Sequence, residues 1–132
     1  MTRYGRARRG TSFIEALTTA IILIPIALCF LDLIVLVIAN TYNDTAAKNA
    51  ARAAANQPDG KLAFEAAQKA LASVKSSALV KTFALTIEMF DYPANRSVVT
   101  CKTKIVVHLP VPFPGLSEVV FMAKAAEPIV AR

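Results

Sequence analysis

Side chains able to carry acid–base, nucleophilic or metal chemistry are few and scattered in this 132-residue chain, which has one histidine and two cysteines. His108 stands on the polar side of an alternating segment, beside Lys102 and Lys104. A general base needs converging partners around a substrate, and a lone imidazole among lysines reads as a solvated residue. Cys29 lies inside a long apolar run and Cys101 on the apolar side of a strand pattern, so the two cannot bridge within one chain. Cys101 reads as a small buried hydrophobe. No glycine-rich phosphate loop, paired-carboxylate signature or metal-ligand spacing occurs. The expectation is a protein that is not an enzyme, with no cofactor and no metal. Two carboxylates stand out instead: Glu15 and Asp32 interrupt apolar sequence, where an ionised group is expensive.

The elements that hold these residues follow from charge and hydropathy. A mean hydropathy of +0.49 is high for a water-soluble domain, and 14.2 kDa leaves room for one small domain and excludes a large two-domain enzyme. The net charge of +6 is unevenly placed. Arg3, Arg6, Arg8 and Arg9 give residues 1–10 a charge of +4, leaving 11 basic against 9 acidic side chains elsewhere. Arginines clustered against a long apolar run fix membrane topology, so no nucleic-acid partner is expected.

That run spans Phe13 to Ala39. As a helix it measures about 40 Å, enough to cross a hydrocarbon layer of about 30 Å. Between Ala16 and Ala39 lie 15 Leu, Ile, Val and Phe residues. Each favours insertion by roughly 0.3 to 0.6 kcal/mol, against roughly 3 kcal/mol for Asp32 at the helix centre, so the apolar sum wins. Asp32 also lies toward one end of the run, where it is placed to meet a partner helix as an intramembrane contact. A secretory signal peptide has a much shorter apolar core, and a buried soluble helix has a polar face; neither fits. The lipid bilayer is therefore an expected partner, with the N-terminus cytoplasmic and residues beyond 40 outside.

Residues 40–57, NTYNDTAAKNAARAAANQ, hold seven alanines and extend the helix until Pro58 and Gly60 stop it, giving one rod from about Ser12 to Gln57. Pro25 removes one backbone bond and is expected to kink it. Lys61 to Ser77 places Ala63, Ala66, Ala67, Ala70, Leu71 and Val74 on one stripe of a second helix. The period then changes to two. Leu79, Phe83, Leu85, Ile87 and Met89 share one face of a strand, and DYPAN at 91–95 turns the chain. Val99, Cys101, Thr103, Ile105, Val107 and Leu109 form the dry face of a second strand, which PVPFPG at 110–115 is expected to end. A third, from about Glu118 to Ala125, buries Val119, Phe121 and Ala123. The expected fold class is α+β: a leader over 1–10, a transmembrane helix and stem over 11–57, and a small head with a three-stranded antiparallel sheet over 58–132. So small a sheet needs the Ala-rich stem packed on it to complete a core.

The junction of leader and helix, RARRGTSFIEAL at 6–17, resembles the processing site of type IV prepilin-like proteins, where a basic leader ends in Gly and a Glu stands fifth in the mature chain. On that resemblance Gly10 ends the leader, Thr11 becomes the new N-terminus and Glu15 is the fifth residue. Gly offers no side chain to obstruct a peptidase. The amine of Thr11 and the carboxylate of Glu15, four positions apart, would lie near one helix face. The resemblance implies that such pairing, within or between subunits, sets subunit register. AAKNAARAAA at 46–55 is similar to the Asn-Ala-Ala-Arg segment following the membrane helix in TadE-like pseudopilins of tight-adherence (Flp-type) pilus systems. The likeness covers the leader through residue 55. Major Flp pilins resemble a bare apolar helix with Tyr directly after the Glu; here Ala16 fills that place and residues 40–132 follow, which points away from a major subunit.

The resemblance implies a minor pilin or pseudopilin in the bacterial cytoplasmic membrane, trimmed by prepilin peptidase. Its further partners would be other pilins and the pilus assembly platform, and its role assembly or initiation of a pilus or related secretion pseudopilus. The first alternative is an uncleaved single-pass protein whose head binds an envelope partner. The second is a membrane-tethered enzyme or inhibitor, which would need converging polar groups in a head pocket.

Overall fold

The computed structural model describes residues 7–75, 84–95, 97–113 and 116–130, and its architecture is α+β. Helix α1 (Ala7–Ala55) is followed by α2 (Gly60–Lys75), then by strands β1 (Ala84–Asp91), β2 (Val98–Phe113) and β3 (Leu116–Pro128). The strands form one antiparallel sheet in the order β1-β2-β3.

Helix α1 has 49 residues, about 70 Å at the standard rise. It continues through Pro25 and begins at Ala7, earlier than the expected Ser12, so the end of the basic leader is already helical. The hydroxyls of Thr18, Thr19, Thr41 and Thr45 donate to the carbonyls of Ile14, Glu15, Val37 and Thr41 at 2.8 to 2.9 Å, which satisfies them within the helix itself. At the other end the Gln57 amide donates to the Ala54 carbonyl (3.0 Å), and Pro58 prevents a further turn. The Tyr92 hydroxyl donates to the Gln57 carbonyl (2.8 Å), pinning this corner to the strand side of the head.

The alanines of α1 explain why helix and sheet approach closely. Ala47, Ala50, Ala51, Ala54 and Ala55 are buried together with Ala63 and Ala67 of α2, Val99 and Cys101 of β2, and Ala123 and Ala125 of β3. Nearer the membrane end, Ala39, Ala46, Leu71, Leu85, Ile105 and Val107 form a second cluster. The stripe expected on α2 is the packed one: Ala63, Ala67 and Leu71 are buried, with Ala66, Ala70 and Val74 half-buried. Val99, Cys101, Thr103, Ile105, Val107 and Leu109 of β2 are all buried, as the alternation predicts.

Three expectations need correction. Met89 does not share the inner face of β1; it is 48% exposed. A bulge lies between Ile87, opposite Thr103, and Met89, opposite Lys102, so the parity flips and Phe90 packs inward instead. Phe90 then meets Phe64 edge to face at 5.3 Å. PVPFPG does not stop β2 at its first proline; the strand runs on into the motif and ends within it, at Phe113. Pro110 and Pro112 are tolerated because the β2–β3 register is interrupted between His108 and Phe113, where a missing donor breaks no ladder bond. Finally, β3 runs from Leu116 to Pro128, longer than the expected 118–125. Leu79 and Phe83 lie outside the described residues.

Candidate functional site

The sequence singled out the apolar half of α1 and its two carboxylates, and the fold divides α1 into an unpacked part and a packed part. None of residues 12–31 is buried; Phe13 is 71% exposed, and Ile21, Ile22, Leu23, Ile24, Phe30 and Leu31 are exposed as well. Only 6% of the most apolar stretch is buried, and the helix is long and apolar enough to cross a membrane. A core helix of a soluble domain would be mostly covered. Residues 12–31 make roughly 30 Å of helix, the thickness of a hydrocarbon layer.

Asp32 is the first buried residue of that length, at 4% exposure. Its Oδ1 accepts the backbone N–H of Val111 (3.2 Å), so its contact is with the β2–β3 hairpin of its own chain. Oδ2 is buried with no hydrogen-bond partner among the described residues. From Asp32 onward a stripe at helical spacing faces the head: Leu36, Ala39, Asn43, Ala46, Ala50 and Ala54.

Asn43 is the residue that sequence reasoning missed. It is fully buried, its Nδ2 donates to the Phe121 carbonyl (3.2 Å), and its Oδ1 accepts the Thr103 hydroxyl (2.8 Å). One helix side chain thus joins two strands and fixes the register of α1 on the sheet. The signal was present in its position on the alanine stripe, where a polar residue must find partners.

At the other end, Gly10 and Thr11 lie within the first turns of α1, as do Arg8 and Arg9, whereas Arg3 and Arg6 lie outside the described residues. Glu15 is exposed on the apolar surface, and its carboxylate makes no ion pair among the described residues. Thr11 and Glu15 are one helical turn apart, the spacing at which neighbouring side chains share a face.

The remaining candidates are accounted for locally. His108 is exposed, with Nδ1 at 3.2 Å from Glu118 Oε1 across the strand pair. Cys29 and Cys101 are both free. Burial pushes the Cys101 thiol up, which disfavours the thiolate a nucleophile needs. The groove between α2 and β1, about 360 Å³, is lined by Phe64, Gln68, Leu71, Ala72, Thr86 and Ile87, none of which titrates near neutral pH. Among the described residues no group of His, Cys, Asp or Glu is placed to hold a metal ion. In the segment 46–55, the buried alanines pack on sheet and α2 while Lys48 and Arg52 are exposed, so its composition has a packing cause. No family model matches this chain, and comparison with curated proteins and with solved structures gives no match.

Proposed function

We propose that this chain is a minor, TadE-like pilin subunit of a tight-adherence (Flp-type) pilus or a related secretion pseudopilus. It would be inserted with the N-terminus in the cytoplasm, trimmed between Gly10 and Thr11, and packed by its exposed apolar helix among other pilins at the assembly platform. Its head would stand outside the cytoplasmic membrane, and its part would be assembly or initiation of the fibre.

The observation that carries this reading is Glu15: a carboxylate on the uncovered apolar surface of a helix long enough to cross a membrane, one turn from the junction of a basic leader. A lone carboxylate in hydrocarbon is costly, and a nearby positive group offsets the cost. Cutting after Gly10 creates such a group at Thr11, on this chain or presented by a neighbour.

Intact-mass analysis of the chain made with and without a competent prepilin peptidase tests this. Loss of residues 1–10 only with the peptidase, abolished by Gly10→Leu without loss of membrane insertion, is the expected result. A chain retaining its first residues beside an active peptidase overturns it. One observation favours the second reading, an uncleaved anchor whose head binds an envelope partner: the helix runs through the Gly10–Thr11 bond, which must unwind before a peptidase can reach it.

A further inference from the structure

The sheet has two edges, β1 and β3, and one bond shows which of their backbone groups are already used. The Ile129 N–H donates to the Ser97 carbonyl (3.2 Å), one position beyond the Val98–Pro128 pair. Bonded and non-bonded pairs alternate in an antiparallel ladder, and the register is unbroken from Val98 to His108, so the odd-numbered residues of β3 bond to β2. Val120, Met122 and Lys124 therefore turn their N–H and C=O groups to the open edge. The even-numbered residues of β2 bond to β1 by the same alternation, pairing Lys104 with Thr86, and leave Leu85 and Ile87 facing the opposite edge. Among the described residues none of these outward groups has a hydrogen-bond partner. The next outward N–H beyond β3, that of Val130, is taken by the Ala55 carbonyl (3.0 Å), so α1 closes this edge at its far end.

Charge marks the same two edges. On the outer face Glu88, Lys102 and Lys124 form one row: the Glu88 carboxylate lies 3.2 Å from Lys102 Nζ, and Lys102 stands opposite Lys124. Like charges directly opposite each other repel. Lys124 is exposed and has no acidic partner among the described residues, and Val120 and Met122 beside it are exposed apolar side chains. The row thus ends in a negative charge on the β1 edge and an unanswered positive charge on the β3 edge.

The membrane limits how a second copy can meet these edges. Strand β3 runs the same way as α1, since Phe121 meets Asn43, Glu127 meets Arg52 and Val130 meets Ala55. Antiparallel pairing of β3 with its own copy would point the two rods in opposite directions across one bilayer. Strand β1 runs parallel to β3, both being antiparallel to β2, so β3 of one copy can join β1 of the next with the rods parallel. Equal depth in the bilayer then sets the register. Thr86 and Met122 both lie opposite Lys104, so copies at one depth bring Met122 beside Thr86 of the next copy and Lys124 beside its Glu88. A residue in a parallel ladder bonds to the two residues flanking its neighbour, and those flanking Thr86 are Leu85 and Ile87, the ones with outward groups.

We propose that the open edge of β3 is an interface for a second copy of this chain, whose β1 edge it pairs with in parallel, continuing the sheet from head to head. The contact is heterologous, so each added copy leaves one β3 edge and one β1 edge free, and the array grows until rotation closes it. This goes beyond the pilin reading: it rests on α1 crossing the bilayer and not on removal of the leader.

Thiol crosslinking of the full chain in lipid vesicles, in a Cys29→Ala, Cys101→Ala background, tests it. Thr86 and Met122 are exposed and two strands apart, about 10 Å, so thiols placed there cannot bridge within one chain. Mixing Thr86→Cys chains with Met122→Cys chains is expected to give disulfide-linked dimers at least about fivefold above either chain alone, and a chain carrying both thiols a ladder of oligomers. Lys124→Glu should lower the mixed dimer by about fivefold, whereas Lys124→Arg should keep it. Mixed dimers no more abundant than those of either chain alone overturn the proposal, whether none form or all form equally. An unchanged yield in Lys124→Glu overturns it too, because the charge that matches the two edges then plays no part.

Discussion

Asp32 and Asn43 are the two polar residues of α1 whose burial is met by the head, and they do different work. Asn43 has both its amide nitrogen and its amide oxygen engaged, by Phe121 and Thr103, and reads as a register pin. Asp32 gives one oxygen to Val111 and leaves the other without a described partner. The amide of asparagine keeps an acceptor where Oδ1 stands, so Asp32→Asn should leave the Val111 amide protected, whereas Asp32→Ala orphans it. Leaving a buried amide unsatisfied costs about 1 to 3 kcal/mol, so in Asp32→Ala the Val111 amide should exchange with solvent about 5- to 100-fold faster. Hydrogen exchange in lipid nanodiscs checks this, and equal protection in both variants would show that the bond does not hold the hairpin. Sequence alone marked Asp32 as costly but gave no means of naming its partner. Val111 is 79 positions away, in a proline-rich stretch whose pattern pointed to an ended strand.

Among the elements, those with one unbroken period were legible: the apolar and alanine-rich length of α1, the stripe of α2, and the strict alternation of β2. What escaped were places where tertiary structure changes the count. The bulge after Ile87 adds one residue to β1, exchanging Met89 for Phe90 on the inner face, and nothing within LTIEMF announces it. The prolines of β2 were read as a stop because a central strand cannot spare donors. Among the described residues, however, the last β1 partner of β2 is Val106, and the β3 ladder is interrupted beyond His108. The alanine stripe yields a prediction at this scale. Ala50 is fully buried between helix and sheet, so Ala50→Leu must push them apart, at a cost of about 1 to 3 kcal/mol or more. Lys48→Leu, on the exposed side of the same helix, should change stability by less than about 0.5 kcal/mol. Denaturant midpoints of the two variants in detergent check the contrast, and equal losses would contradict the packing of α1 on the sheet.

For the whole molecule, α1 serves twice: its first half is bare and apolar, and its second half is the spine around which α2 and the sheet close. Removing the stem would remove the wall of the core, so the head cannot be treated as a domain merely tethered to an anchor. Exposed ion pairs such as Arg52–Glu127 (3.1 Å) contribute little to this union. It rests on alanine packing and on the Asn43 and Asp32 contacts. The charge distribution follows the same division, since loss of residues 1–10 would lower the net charge from +6 to +2. The central claim, a cytoplasmic leader that is cut away and a head held outside on one continuous rod, is tested most directly by thiol labelling in intact cells that contain a prepilin peptidase. In a Cys29→Ala, Cys101→Ala background, Asn56→Cys should react with a membrane-impermeant maleimide from outside, while Arg6→Cys should be missing from the head-bearing chain even after permeabilisation. An Asn56→Cys thiol that reacts only after permeabilisation, or an Arg6→Cys thiol still attached to the head, would contradict the account.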